Sequence, residues 1–194
     1  MPMHLFYIHG FNSSPQSAKA RVLADYLARL HPEVQYHVPV LPYDPALAIK
    51  ILGDAIEQCL PDPVGLLGSS LGGFYGTWAA ERYGVPLVLI NPAVRPYELL
   101  KDHLGEQINI YTGEHYVFTA RHIDLLRSLD VAVTQPERYL LLTQTGDETL
   151  DYRQGAEKFH ASRQVVEQGG SHGFDGFENH LPTIMAFLGV SALA

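Results

Sequence analysis

The chain has 194 residues, enough for one domain with one substantial core, and its 46% hydrophobic and 18% charged residues exclude a disordered or fibrous protein. A formal net charge of −8 argues against nucleic acid or an anionic membrane surface as partner, since either would call for a basic face. The single cysteine, Cys59, excludes an intrachain disulfide. It reads as a buried structural thiol at the end of a helix and suits a reducing compartment. No basic segment precedes an apolar stretch at the start, and no run reaches the roughly 18 apolar residues of a membrane span. The expected location is the cytoplasm.

Short apolar runs alternate with longer helical patterns, the rhythm of βαβ units around a parallel sheet. Residues 5–9 read as a strand. Residues 17–30 read as an amphipathic helix with Val22, Leu23, Tyr26, Leu27 and Leu30 on its buried face. A strand over 34–41 follows, then a helix over 45–60 with Leu47, Ile51, Leu52, Ala55 and Ile56 at helical spacing. Residues 64–68 form a short buried strand, 71–83 a helix, and 87–90 a strand rich in Val and Leu. The rhythm breaks over 95–135, a stretch with Tyr97, Tyr111, Tyr116, Phe118, His103, His115 and His122. It is either a cap-like insertion over a pocket, with a hairpin within 108–118, or a pair of packing helices. Then come a strand over 139–143, a helix over 152–160, a strand over 164–167 and a final helix over 177–188. The expectation is a single α/β domain over 1–194: about six mostly parallel strands, helices on both faces, and one small insertion. Functional groups in such a sheet belong at the carboxyl ends of the strands.

The central motif is Gly68-Ser69-Ser70-Leu71-Gly72, a G-x-S-x-G pattern between a strand and a helix. A sharp turn there lifts a serine hydroxyl clear of the sheet. Strand and helix then approach so closely that Cβ atoms at 68 and 72 would clash, and glycine removes them. The middle position makes Ser70 the candidate nucleophile, with Ser69 supporting the turn. A P-loop is a poorer fit because no Gly-Lys-Ser/Thr follows.

A serine hydroxyl needs a base at neutral pH, and the base needs a carboxylate to hold its tautomer. On this fold the chain order is Ser, then Asp or Glu, then His. His172 stands in the Gly169-Gly170-Ser171-His172 loop before the final helix and is the expected base; His180 is a weaker candidate. Asp147, in Thr145-Gly146-Asp147-Glu148 just past a strand, is the expected acid. Glu148 and Asp151 are close alternatives, although Asp151 could simply cap the next helix. Asp130 is a more distant one. An oxyanion hole needs two backbone donors. The N–H of Leu71, at a helix N-terminus, and that of Phe11, in His9-Gly10-Phe11-Asn12, are the expected pair. His9 itself reads as structural, closing its strand. Because the chain begins at what is normally an inner strand, the fold reads as a minimal version.

The motifs together resemble the YqiA-type bacterial esterases, compact α/β-hydrolases. The similarity runs through His9-Gly-Phe-Asn-Ser-Ser-Pro15, Ser17-Ala-Lys-Ala20, Gly68-Ser-Ser-Leu-Gly-Gly73, Asn91-Pro-Ala-Val-Arg-Pro96, Tyr111-Thr-Gly113, Thr145-Gly-Asp-Glu148, Asp151-Tyr-Arg-Gln154, Gly169-Gly170 with His172, and Gly176-Phe-Glu178. The resemblance implies a carboxylesterase, with acyl-CoA thioesters as further substrates, and places Ser70, Asp147 and His172 in the roles argued above. Arg95 is a candidate for binding an anionic substrate group or for an ion pair that fixes the insertion. The expected chemistry is acyl transfer on a small-molecule ester or thioester, with no cofactor and no metal: there is no His-Glu-x-x-His motif and no cysteine cluster. The alternative is a non-catalytic binding protein that retains the fold.

Overall fold

A computed structural model describes residues 1–190; the last four positions of the expected domain, 191–194, lie outside the described residues. β1 (His4–Ile8) is buried at every position because it lies inside the sheet with helices on both sides. Its Leu5 and Tyr7 face one core cluster, Phe6 and Ile8 the other. β3 (Val64–Ser69), β4 (Leu87–Ile90) and β7 (Tyr139–Gln144) divide their side chains in the same way. Buried on both faces, such strands read as continuous apolar runs rather than alternating ones. The six strands lie in the order β2-β1-β3-β4-β7-β8, every neighbouring pair parallel, with β2 (Gln35–His37) and β8 (Arg163–Glu167) at the edges. The order reverses between β1 and β3, so the loops leaving these two strands open a crevice at their carboxyl ends.

α1 (Ala18–Leu30) covers one face together with α7 (Leu181–Phe187). α2 (Pro45–Glu57) and α3 (Leu71–Tyr83) cover the other. Among the described residues, no helix is long and apolar enough to cross a membrane.

Several local expectations are corrected. The strand expected over 34–41 shrinks to three residues, since Pro39 has no N–H to give the ladder. α1 buries Ala20, Leu23 and Leu27, while Val22 and Leu30 are 36% and 48% exposed. The buried stripe is spaced i, i+3 and i+7 from Ala20, and Val22 and Leu30 lie off it. α2 likewise buries Ala48, Leu52 and Ile56 and leaves Leu47 exposed. It stops at Glu57 rather than residue 60, where the ladder tightens: Cys59 N–H donates to Ile56 O, three residues back (3.0 Å). Cys59 therefore lies past the helix end and is half-buried rather than buried. The last helix is broken into a 3₁₀ turn, Phe177–His180, and α7, whose first turn holds Pro182.

The 95–135 stretch contains both features that its sequence left open. β5 (Gly105–Ile108) and β6 (His115–Phe118) form an antiparallel hairpin, starting earlier than expected, with Gly105 opposite Phe118. Its tip is an Asx-type turn in which Asn109 Oδ1 accepts from the amides of Tyr111 and Thr112. The short α4 (Pro96–Leu99) and α5 (Ala120–Ser128) flank the hairpin and pack on each other. α6 (Tyr152–Lys158) follows β7, and Lys158 Nζ ties back to this stretch through Asp130, 2.6 Å away.

Candidate active site

β3 ends at Ser69 and α3 begins at Leu71, so Ser70 alone makes the turn between them. It does so at φ 54°, ψ −122°. A side-chain-bearing residue held in such a conformation stores about 1–3 kcal/mol of strain. The main chain holds it there. Ser70 N–H donates to Ile90 O (3.1 Å), and Ser70 O accepts from the amides of Gly73 (3.0 Å) and Ala93 (2.9 Å). A Cβ on Gly68 would stand 2.5 Å from Gly72 O, so strand and helix do approach as the motif predicts. Gly72 answers to a different neighbour: its Cβ would overlap the main chain at Ile8, pressing on β1 rather than β3. Ser69 is buried beneath the turn.

Asp147 stands three residues past the end of β7, and His172 in the loop after β8. The Asp147 side chain is 1% exposed. Its Oδ1 accepts from the amides of Thr149 (2.9 Å) and Leu150 (2.8 Å), and its Oδ2 accepts from His172 Nδ1 (2.8 Å). Burial by itself would raise the Asp147 pKa; the hydrogen bonds from His172, Leu150 and Thr149 overturn that and hold the carboxyl below its ordinary range. An ionised Asp147 accepts only, so Nδ1 of His172 carries the proton. Nε2 then presents its lone pair to Ser70 Oγ, 3.1 Å away. The structure thus brings Ser70, His172 and Asp147 into one hydrogen-bonded chain.

The other candidates fall elsewhere. Glu148 accepts from the main-chain N–H of His172 (2.9 Å), which lowers its pKa, and steadies the loop rather than the ring. Asp151 caps α6 through Arg153 N–H and pairs with the Arg153 side chain. Asp130 binds Tyr97 and Lys158. His180 pairs with Glu167 at 3.0 Å and packs against Phe174. His9 is buried, its Nε2 accepting from Leu41 N–H (3.1 Å) and its Nδ1 donating to Gly10 O (3.0 Å). Burial lowers its pKa. It anchors the loop after β1, as its position suggests. Arg95 is exposed beside a separate hollow of about 260 Å³ formed with Glu98, Leu150 and Gln154; the pair that tethers the insertion is Lys158–Asp130 instead.

Phe11 and Leu71 line one recess, the first in the loop after β1 and the second at the first position of α3. A Cβ on Gly10 would touch Ser70 Cβ at 3.3 Å, so this loop runs directly alongside Ser70. The Phe11 ring is fixed by the hairpin, with Phe118 5.5 Å and Tyr116 6.5 Å between centroids. Asn109 Nδ2 donates to Ser13 O (3.2 Å), and the Tyr116 hydroxyl bonds Asn12 Oδ1. The hairpin is therefore fastened to the same loop.

Two residues that carry the site were not singled out from the sequence. Asn91, buried at φ 38°, donates from Nδ2 to Ser171 O (2.9 Å) and His172 O (3.2 Å). Its Oδ1 accepts from Thr143 Oγ1 and Gln144 N–H. Gln144 Oε1 accepts from the amides of Ser171 (3.2 Å) and Asp175 (2.9 Å). Together they fasten the His172 loop to the ends of β4 and β7. The signal available in the sequence was an Asn directly after a strand, a residue type that tolerates positive φ.

A nitrogen–sulfur grouping lies at the opposite end of the sheet. One ring nitrogen each of His4 and His37 and the Sγ of Cys59 lie within 4.8 Å of one another. His4 Nδ1 and His37 Nε2 are 2.9 Å apart and hydrogen-bond each other. Two ligands on a tetrahedral Zn²⁺ would stand about 3.3 Å apart. The trio could hold a metal only after the rings separate, and it is remote from Ser70.

The model of a family described as Uncharacterised protein family (UPF0227) matches residues 4–189. The UPF0227 protein YcfP of Salmonella arizonae is 26% identical over 194 residues, spanning 94% of this chain and 97% of its own. Among solved structures, alpha/beta hydrolase domain-containing protein 10 from mouse aligns with a TM-score of 0.68 at 18% identity, over 94% of this chain and 87% of that one. Est1E from Butyrivibrio proteoclasticus gives 0.69 at 12% identity, over 97% and 86%. At such identities the likeness establishes a common α/β-hydrolase fold. The kinship expected from the motifs holds, and the chain belongs to the UPF0227 family, the YcfP/YqiA-type proteins.

Proposed function

We infer that this protein is a serine hydrolase that cleaves carboxylic ester bonds, acyl-CoA thioesters included, through an acyl-enzyme on Ser70. The observation that carries this reading is the hydrogen-bonded chain from Ser70 Oγ through His172 to Asp147, at 3.1 and 2.8 Å. Ser70 Oγ attacks the carbonyl carbon while His172 Nε2 takes its proton. The carbonyl oxygen becomes an oxyanion facing the amides of Phe11 and Leu71. His172 returns the proton to the departing alcohol or thiol, leaving Ser70 acylated. Water then attacks the acyl carbon, its proton passing through His172 to Ser70, and the acid leaves. Asp147 stays ionised throughout and stabilises the imidazolium. The 105–118 hairpin acts as a small cap, since its aromatic side chains hold the loop that supplies one oxyanion donor.

The test is covalent labelling. Wild type and Ser70→Ala are exposed to a fluorophosphonate probe and weighed intact. One adduct on the wild type and none on the variant is the expected result. A folded wild type that takes up no probe would overturn the reading and leave a binding protein that retains the fold.

A further inference from the structure

The cleft beside Ser70 has a volume of about 340 Å³ and one charged wall. Ser70 and His172 form one side, the hairpin residue Tyr111 another, and Ser17, Ala18 and Lys19 a third. No carboxylate lines it among the described residues. Lys19 is half-buried at the second position of α1, and its Nζ donates to Gly173 O at 2.8 Å. An ammonium has three donors, so two N–H groups remain after this bond to a neutral acceptor. Lys50 and Lys158, by contrast, are each paired with a carboxylate, at 2.5 and 2.6 Å.

A second feature adds to the cation. α1 begins with no side-chain cap and no acidic residue in its first turn, so its free amides and dipole add positive potential to the same wall. The Ser17 hydroxyl, at the head of that helix, lies against the Tyr7 hydroxyl at the floor of the cleft and does not turn back to cap α1. In a chain of net charge −8 a positive wall requires a local cause.

We propose that the Lys19 wall is an anion subsite, so that the preferred substrates are esters bearing a carboxylate or phosphate group near the scissile carbonyl. This rests on the serine-hydrolase reading above and narrows its substrate class. The Lys19 ammonium supplies charge and two donors, and the uncapped end of α1 supplies amides. Burial holds the Lys19 pKa below its ordinary value, and the charge of Asp147 offsets only part of that. A bound anion would favour the charged form.

Selectivity, a ratio of kcat/KM values, is the quantity to measure. One arm compares mono-4-nitrophenyl succinate with the neutral 4-nitrophenyl butyrate, placing a carboxylate on the acyl side. A second arm compares 1-butyrylglycerol 3-phosphate with 1-butyrylglycerol, placing a phosphate on the alcohol side. The wild type is expected to favour the anionic member of at least one pair by about tenfold, mainly through KM. Lys19→Gln keeps a donor for Gly173 O and should cut that ratio about tenfold; Lys19→Glu should lower it further. Any general loss from disturbing the Gly173 bond cancels in the ratio. A ratio near one in the wild type, or one unchanged in both variants, overturns the subsite while leaving the esterase intact. If no ester is hydrolysed and no probe is taken up, the hydrolase reading fails instead. Calorimetric titration with succinamate then decides the subsite alone: saturable binding weakened tenfold by Lys19→Gln supports it, and no binding ends it.

Discussion

Ser70 sits on a turn closed by main-chain atoms and glycines, whereas His172 sits on a loop closed by side chains from two other strands. Around Ser70 the contacts are Gly68 on Gly72, Gly72 on Ile8, and amide bonds to Ile90, Gly73 and Ala93. Around His172 they are Asn91, Gln144, Asp147 and Glu148. The first half is rigid because no Cβ intervenes, and its strain is locked by sheet and helix. The second half is held by hydrogen bonds that reach across 80 residues of sequence. One half is therefore specified locally and the other only by tertiary structure.

The largest expected effect tests the link that joins the halves. Asp147→Asn keeps the shape but can donate to His172 Nδ1 and so turn the wrong tautomer toward Ser70. On the proposed mechanism kcat falls by about 10⁴-fold. Steady-state kinetics on 4-nitrophenyl butyrate, with circular dichroism to confirm the fold, measures it. A drop under tenfold would mean that Asp147 is structural and that Glu148 or water serves His172.

A paired substitution separates the two kinds of support. Gly72→Ala puts a Cβ into the β1 main chain, where no side chain can yield. Its cost should reach or pass the upper end of the about 1–3 kcal/mol usual for overpacking, read as a shift in urea midpoint. Asn91→Gly tolerates φ 38° but deletes the amide that holds Ser171, His172, Thr143 and Gln144. It should cost about 1–3 kcal/mol of stability. Turnover should fall about 10²-fold through a displaced His172. If Asn91→Gly kept full turnover, the His172 loop would be held sufficiently by Glu148 and Gln144.

The same division explains what was legible in the sequence. The order of strands and helices, the G-x-S-x-G turn, Asp147 and His172 were readable because each rests on a local pattern: apolar runs, framed glycines, a polar residue just past a strand. Asn91 and Gln144 were not, because nothing beside them in sequence shows what they bond. The α1 face was misread for a related reason. Ranking by side-chain size puts Val22 and Leu30 above Ala20, but the stripe that meets the sheet runs through Ala20, Leu23 and Leu27, and a small alanine gives a weak apolar signal. In the insertion, the hairpin was signalled by Thr112-Gly113, yet its docking through Tyr116 and Asn109 onto the loop after β1 needed the tertiary structure.

The smallest expected effect sharpens the comparison through pH. Burial opposes ionisation of Asp147, but the bonds from His172, Leu150 and Thr149 prevail and hold its folded pKa below that of the unfolded chain. A depressed folded pKa stabilises the fold above the unfolded value, about pH 4 for an aspartate. That stabilisation drains away as pH falls through the lower, folded pKa. Wild type should therefore lose stability below about pH 4 more steeply than Asp147→Asn, which has no proton to take up there. Urea midpoints at pH 6, 4 and 3 measure the difference. Gly72→Ala, whose cost is steric, should show the same offset from wild type at every pH at which both fold. Parallel curves for wild type and Asp147→Asn would mean that the Asp147 hydrogen bonds only offset its burial. The His172 half of the site would then draw its hold from Asn91 and Gln144, neither of which ionises.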